Sequence, residues 1–260
     1  MKRLEFVKKA CAGGVGLALL PQVYSCGANK KIAETAWSGL RADDGPVFSY
    51  VHPKKGIPNI LLYGDSISIG YTTTVREELA GKATVFRIFS NGISSHDFIP
   101  KMDKLEQTMF KPHLKGGWDF EWDLIHFNVG LHDIKYMSSK GMDKENGKIV
   151  STVPIYKENL VDISEYLQDN FPNTKLIFAT TTPVPENANG RYAGDAKKYN
   201  EAALEVLKNY PSVIINDLYG YTLPNHEKWM EKPGNVHYNE LGTTEQGKKV
   251  AEVILEQLNQ

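Results

Sequence analysis

A three-layer α/β/α sandwich on a parallel sheet is the fold class this sequence predicts, and three observations predict it. From residue 59 onward, short apolar runs rich in β-branched and aromatic residues alternate with amphipathic segments of helical period, the pattern of successive βαβ units. The runs are mostly apolar at consecutive positions, as strands covered by helices on both faces are. No internal repeat, low-complexity tract or Pro/Gly/Ser-rich linker interrupts residues 58–260, which argues for one domain there.

Five strands are expected, at 59–63 (NILLY), 84–89 (TVFRIF), 124–128 (LIHFN), 175–180 (KLIFAT) and 212–216 (SVIIN). Helical period marks 156–171, 195–210 and 239–258. The second of these places Tyr199, Ala203, Val206, Leu207 and Tyr210 on one stripe. The third does the same with Val250, Ile254 and Leu258, and Asn239 is its expected N-cap. Residues 26–57 show turn signals, Asp43-Asp44-Gly45-Pro46 and His52-Pro53-Lys54-Lys55-Gly56, without sustained periodicity, and are read as a tether and lead-in.

The first 25 residues read as an export signal. Lys2, Arg3, Lys8 and Lys9 precede an apolar stretch over residues 10–20, which is too short for the roughly 20 residues of a spanning helix. Val23-Tyr24-Ser25-Cys26 is similar to a bacterial lipobox, with Cys26 the lipidated residue. The expected location is therefore exported, periplasmic or outer-membrane-anchored, with membrane contact only through that lipid. Cys11 and Cys26 are the only cysteines, so a processed chain has none left for disulfides or thiolate metal sites. Removing the four basic and one acidic side chains of residues 1–25 from totals of 30 and 31 leaves a net charge of −4. Bulk binding of nucleic acid is disfavoured at that charge.

Ligands of open α/β sheets sit beyond the carboxyl ends of the strands, and four segments there carry chemistry. Gly64-Asp65-Ser66-Ile67-Ser68 follows the first strand and puts Ser66 at a helix start, where N–H groups and the dipole favour a developing oxyanion. A plain helix cap is the competing role for that serine. Asn91-Gly92 follows the second strand, Gly130-Leu131-His132-Asp133 the third, and Gly234-Asn235-Val236-His237 precedes the last helix. His226 and His113 are read as surface residues, and His126 as a hydrogen-bonded core histidine.

In this order, over residues 60–242, the four segments resemble the SGNH (GDSL-type) esterase and acylhydrolase family. The segments at 122–133 and 180–185 resemble an exported branch of it. The resemblance implies a flavodoxin-like five-stranded sheet, Ser66 as nucleophile, His237 as general base, and an oxyanion hole from Ser66, Gly92 and the position held by His132. Two positions depart from the family pattern. His132 stands where the family has asparagine, and Gly234 stands where it has the triad aspartate, leaving Asn235, Asp217 and Asp133 as candidates to orient His237. Asp65 and Arg191 are further supporting or substrate-contacting candidates. The implied activity is hydrolysis of a small acyl ester, acetyl on a carbohydrate, through an acyl-enzyme and without a cofactor. Tyr192, Tyr221 and Trp229 are candidates to stack on sugar. The competing readings are a non-catalytic glycan-binding lipoprotein on the same fold and an acyltransferase to a sugar hydroxyl. No metal site is expected, because His126 and His132 fall on a strand and the loop beyond it.

Overall fold

The computed structural model describes residues 24–42 and 44–260. Of the export signal, residues 1–23 lie outside the described residues, as does Asp43 of the expected turn. Helix α1 (Tyr24–Leu40) is followed by strand β1 (Asn59–Tyr63), helix α2 (Ser66–Glu78), strand β2 (Thr84–Arg87), helix α3 (Phe98–Met109) and strand β3 (Leu124–Phe127). Three short strands, β4 (Tyr136–Ser138), β5 (Gly141–Met142) and β6 (Lys148–Ile149), lead into helix α4 (Val153–Asn170). Strand β7 (Lys175–Ala179), helix α5 (Asp195–Leu207), strand β8 (Val213–Asn216) and helices α6 (Leu218–Thr222), α7 (His226–Trp229) and α8 (Glu240–Leu258) complete the chain.

The main sheet is all parallel in the order β2-β1-β3-β7-β8. All five predicted strands are present, each within two residues of its expected limits. The order reverses between β1 and β3, so the crevice beyond their carboxyl ends is the switch point. Helices α2 and α8 pack together on one face and α3, α4 and α5 on the other, as right-handed crossovers from this order require. β1, β2 and β3 are buried at every position. Burying each leucine, isoleucine or phenylalanine there contributes about 1.5–3 kcal/mol. The exposed side chains of this sheet are Lys175 at the start of β7 and Ile214 and Ile215 on edge strand β8.

Two parts of the chain differ from their sequence reading. The first half of the expected tether and lead-in is helix α1, whose Ala33, Trp37 and Leu40 are buried in the main core. Their spacing of four and three is helical, but the apolar stripe is only three residues long. Trp37 donates from Nε1 to Phe48 O at 2.7 Å and lies 5.8 Å from the Trp118 ring. The other difference is the small antiparallel sheet β5-β4-β6, whose strands of two or three residues are too short for a period to register.

Glu106 on α3 is a carboxylate that burial holds up at about pKa 7, against an ordinary 4.5, although Trp122 Nε1 donates to it at 3.3 Å. Between those two values the folded protein keeps a proton that the unfolded chain has released. Stability therefore falls as pH rises through that window and stays lower above it. Glu106→Gln keeps an acceptor for Trp122 and removes the charge. It is expected to raise the unfolding free energy at pH 8 by about 1–3 kcal/mol and to leave it nearly unchanged at pH 4, read from urea denaturation at the two pH values.

Candidate active site

The turn from β1 into α2 begins with a division of labour between neighbouring residues. Asp65 is the N-cap, its Oδ1 accepting from Ile67 N at 2.9 Å. Ser66 therefore occupies the first helical position, where its N–H has no intrahelical acceptor and its hydroxyl is not used as a cap. That hydroxyl meets His237 Nε2 at 2.9 Å across 171 residues of sequence.

The other ring nitrogen, Nδ1, lies 3.0 Å from Asn235 Oδ1, which also accepts from the His237 backbone N–H at 3.1 Å. The latter bond is an Asx-turn, a short loop that asparagine forms with its own i+2 amide. The opposite end of the amide, Nδ2, donates to Glu231 Oε2 at 2.6 Å. An ionised carboxylate can only accept, so Glu231 forces the Asn235 nitrogen outward and its oxygen toward His237. The imidazole must then carry its proton on Nδ1, and Nε2 is free to accept from Ser66.

Of the three groups the sequence left open, Asn235 is thus the one at His237. Asp133 is buried elsewhere, accepting from Ser95 N, Ser95 Oγ and Ser151 Oγ. Asp217 caps α6. Gly234, the position of the family's aspartate, has φ +78°, and a Cβ there would meet Asn187 O at 3.1 Å. An aspartate at 234 would be strained.

Asn235→Ala is expected to lower kcat for an ester by about 10²-fold, less than the roughly 10⁴ attached to a triad carboxylate because an amide stabilises imidazolium less. Glu231→Gln is expected to cost about 3–10-fold, since a glutamine no longer dictates which way the amide faces. Single-turnover rates on both variants check the pair.

The oxyanion donors are arranged differently from expectation. Gly92 does not aim its N–H at the site: it donates to Gly64 O at 2.8 Å. A Cβ on Gly92 would lie 2.7 Å from that oxygen and 2.8 Å from Tyr63 Cε1, so the glycine serves close packing of the two loops. The neighbouring Asn91 lines the cavity instead, and its Oδ1 is tied to Ile93 N at 2.9 Å, leaving Nδ2 as the free donor. His132 lines the same cavity. Burial, then the cations Lys135 and Arg191, hold its pKa down to about 3, so it is neutral. Lys135 Nζ lies 2.9 Å from His132 Nδ1 and 3.5 Å from Nε2. An ammonium can only donate, so the nearer nitrogen, Nδ1, accepts, and the proton of this ring sits on Nε2, a second donor.

Ser66, His132, Arg191, Asn235 and His237 share a cavity of about 330 Å³. Gly92, Asp65 and Asp133 do not line it. A larger cavity of about 960 Å³ lies at the other end of the sheet, beside Asn59 and Asp123, away from these groups. Trp229 is buried and packs with Tyr221, rings 5.8 Å apart, so it presents no sugar platform. Tyr192 is exposed and pairs edge-on with Tyr136. His226 is buried with its Nδ1 3.2 Å from Tyr238 Oη, and so is not the surface residue expected. His126 is a core residue, accepting from Asn216 Nδ2 at 3.2 Å. No cluster of metal-ligating side chains occurs among the described residues.

Arg87 carries no sequence signal beyond its place in an apolar run. It is 1% exposed and donates to Ser68 Oγ at 2.7 Å, Gly64 O at 3.0 Å and Asp65 O at 3.3 Å. It therefore braces from beneath the turn that carries Ser66.

Neither a protein-family model nor a curated protein sequence matches this chain. Solved structures do. A lipase/acylhydrolase from Enterococcus faecalis superposes with a TM-score of 0.57 at 17% identity, covering 77% of this chain and 97% of its own. The acetyl xylan esterase AlAXEase gives 0.55 at 16% identity, with 75% and 99% covered. A member of the lipolytic G-D-S-L family from Veillonella parvula gives 0.51 at 20% identity, with 75% and 97% covered. With a parallel five-stranded sheet, helices on both faces and these structural neighbours, the chain has the SGNH (GDSL-type) hydrolase fold.

Proposed function

We propose that this protein is a serine esterase that removes a small acyl group, acetyl in the first instance, from a carbohydrate ester. The observation that carries the reading is the chain of contacts from Ser66 Oγ through His237 and Asn235 to Glu231. Ser66 Oγ attacks the ester carbonyl as its proton passes to His237 Nε2. The tetrahedral oxyanion is held by the Ser66 N–H and the donors of Asn91 and His132. Collapse breaks the bond to the alcohol, which leaves with the proton from His237. Water then gives a proton to His237 and attacks the acyl-enzyme, releasing the carboxylic acid and restoring Ser66.

A short acyl group fits because the cavity is small, about 330 Å³, and Met142 and Val236 are the apolar side chains that line it; a long lipid tail would need a more extended apolar wall. The acetyl xylan esterase among the structural neighbours supports the carbohydrate part. Export and lipidation at Cys26 belong to the proposal on the sequence of residues 1–26 alone.

Hydrolysis of activated esters from acetate to octanoate, with fluorophosphonate labelling mapped by mass spectrometry, tests it. Activity falling with chain length and label on Ser66 are expected. Glycan binding with neither turnover nor label would instead mark a non-catalytic binder, and acyl transfer to an added sugar in preference to water would mark a transferase.

A further inference from the structure

The cavity around Ser66 is cationic and carries no carboxylate of its own. Arg191 is 5% exposed and lines it, with Nε donating to Leu131 O at 2.8 Å. The terminal guanidinium nitrogens of Arg191 have no hydrogen-bond or ion-pair partner among the described residues. Lys135 also lines the cavity, and its polar contact is the neutral ring of His132. No aspartate or glutamate lines the cavity. The carboxylate that attracts both cations is that of Asp65, fully buried below, its oxygens already engaged by Ile67 N at 2.9 Å and Asn128 Nδ2 at 3.3 Å. Asp65 is further shared with the buried Arg87.

A buried arginine and a half-buried lysine on one cavity without a dedicated counter-ion cost stability. Perturbed charged groups in a cleft cluster at functional sites, and an anion entering between these two cations would remove that cost. The electrostatics agree: burial and then Arg191 hold Lys135 down to about 8, and burial holds Arg191 down to about 10. An arginine presents a planar fork suited to carboxylate, phosphate or sulfate, with the lysine as a point charge beside it.

Resting on the esterase reading above, we propose that the substrate of this site bears an anionic oxygen group, seated between Arg191 and Lys135 while the acyl ester lies at Ser66. An acylated sugar acid or an acylated sulfated or phosphorylated sugar has this chemistry. A neutral acetylated sugar lacks it.

The test uses an O-acetylated uronic-acid oligosaccharide, the same compound with its carboxyl groups reduced to alcohols, and a sulfated acetylated counterpart. The charged esters are expected to have kcat/KM at least about 10-fold above the neutral one. Lys135→Gln and Arg191→Gln are each expected to bring that ratio down by about 5–10-fold, and raising the pH above 8 is expected to lower it as Lys135, facing His132, Arg191 and Asp65, loses its proton. Preference for the uronate assigns a carboxylate, and preference for the sulfated ester assigns a sulfate-like group. Binding of the deacetylated oligosaccharides to Ser66→Ala by calorimetry needs no turnover, so it separates failure of this inference from failure of the esterase reading. Equal binding of charged and neutral oligosaccharides overturns the inference. So does a parallel fall in activity on both esters in the two variants, which would assign the cations to transition-state charge alone.

Discussion

Ser66→Ala is expected to lower kcat on an activated acetate ester by about 10⁴–10⁶-fold, and His237→Ala by a similar factor. The two groups share one hydrogen bond, Ser66 Oγ to His237 Nε2 at 2.9 Å, and in the proposed mechanism act in one step. Removing either leaves the other without a reaction to perform. The double variant should therefore be no slower than either single one, the non-additivity of residues that act as a unit. Residual turnover over water should persist in all three, because the donors of Ser66 N–H, Asn91 and His132 remain. Kinetics on the three variants and covalent trapping of the acyl-enzyme check the set. Factors that multiply in the double variant would show that His237 is not the base for Ser66.

Arg87→Met has the largest expected effect on stability, about 3–5 kcal/mol. The guanidinium is 1% exposed, with its ring neighbour Phe48 centred 5.5 Å away. Methionine matches much of its length but donates nothing. Three hydrogen bonds from a charged group, to Ser68 Oγ, Gly64 O and Asp65 O, would be lost, at about 1.5 kcal/mol apiece, and the loss of shape adds to that. Asp65 O would keep the Ile69 N–H at 3.1 Å and the Ser68 hydroxyl at 2.7 Å. Gly64 O would keep only the Gly92 N–H at 2.8 Å. For a domain of this size, about 1 kcal/mol moves Tm by roughly 2–4 °C, so a fall of roughly 10 °C is expected by calorimetry. Activity should fall further than Tm accounts for, because the turn holding Ser66 loses its brace. Arg87→Lys keeps the charge but cannot reach three acceptors at once, and should recover only part of either quantity.

These two predictions differ in how visible their residues are in the sequence. Ser66 and His237 stand in local motifs, a tight turn after an apolar strand and a histidine before a capped helix, and local motifs survive as patterns. Arg87 sits inside an apolar run, and its role depends on Gly64, Asp65 and Ser68 from another part of the chain. Asn235 was one of three candidates, and only the loop conformation singles it out: Gly234 turns the chain at φ +78° and the Asx-turn at Asn235 swings the amide oxygen to Nδ1. Glu231 left no trace, since a surface glutamate is ordinary. Gly92 was implied as an oxyanion donor, but its N–H is given to Gly64 O of the same protein rather than to a ligand.

By itself the sequence determined the layered α/β architecture, the five main strands, and the pairing of a helix-start serine with a late histidine. The architecture and the strands follow from short-range patterns of apolarity and turn chemistry, which are physical constraints on neighbouring residues, and the pairing was implied by the resemblance of four short segments to the SGNH family. The tertiary structure alone decided which group orients His237, which N–H groups remain free near Ser66, that α1 belongs to the core, and that Lys135 and Arg191 stand together without a carboxylate. Those outcomes depend on distances between residues far apart in the chain. Hydrogen-bond direction and uncompensated charge are properties of such distances, and a linear pattern does not contain them.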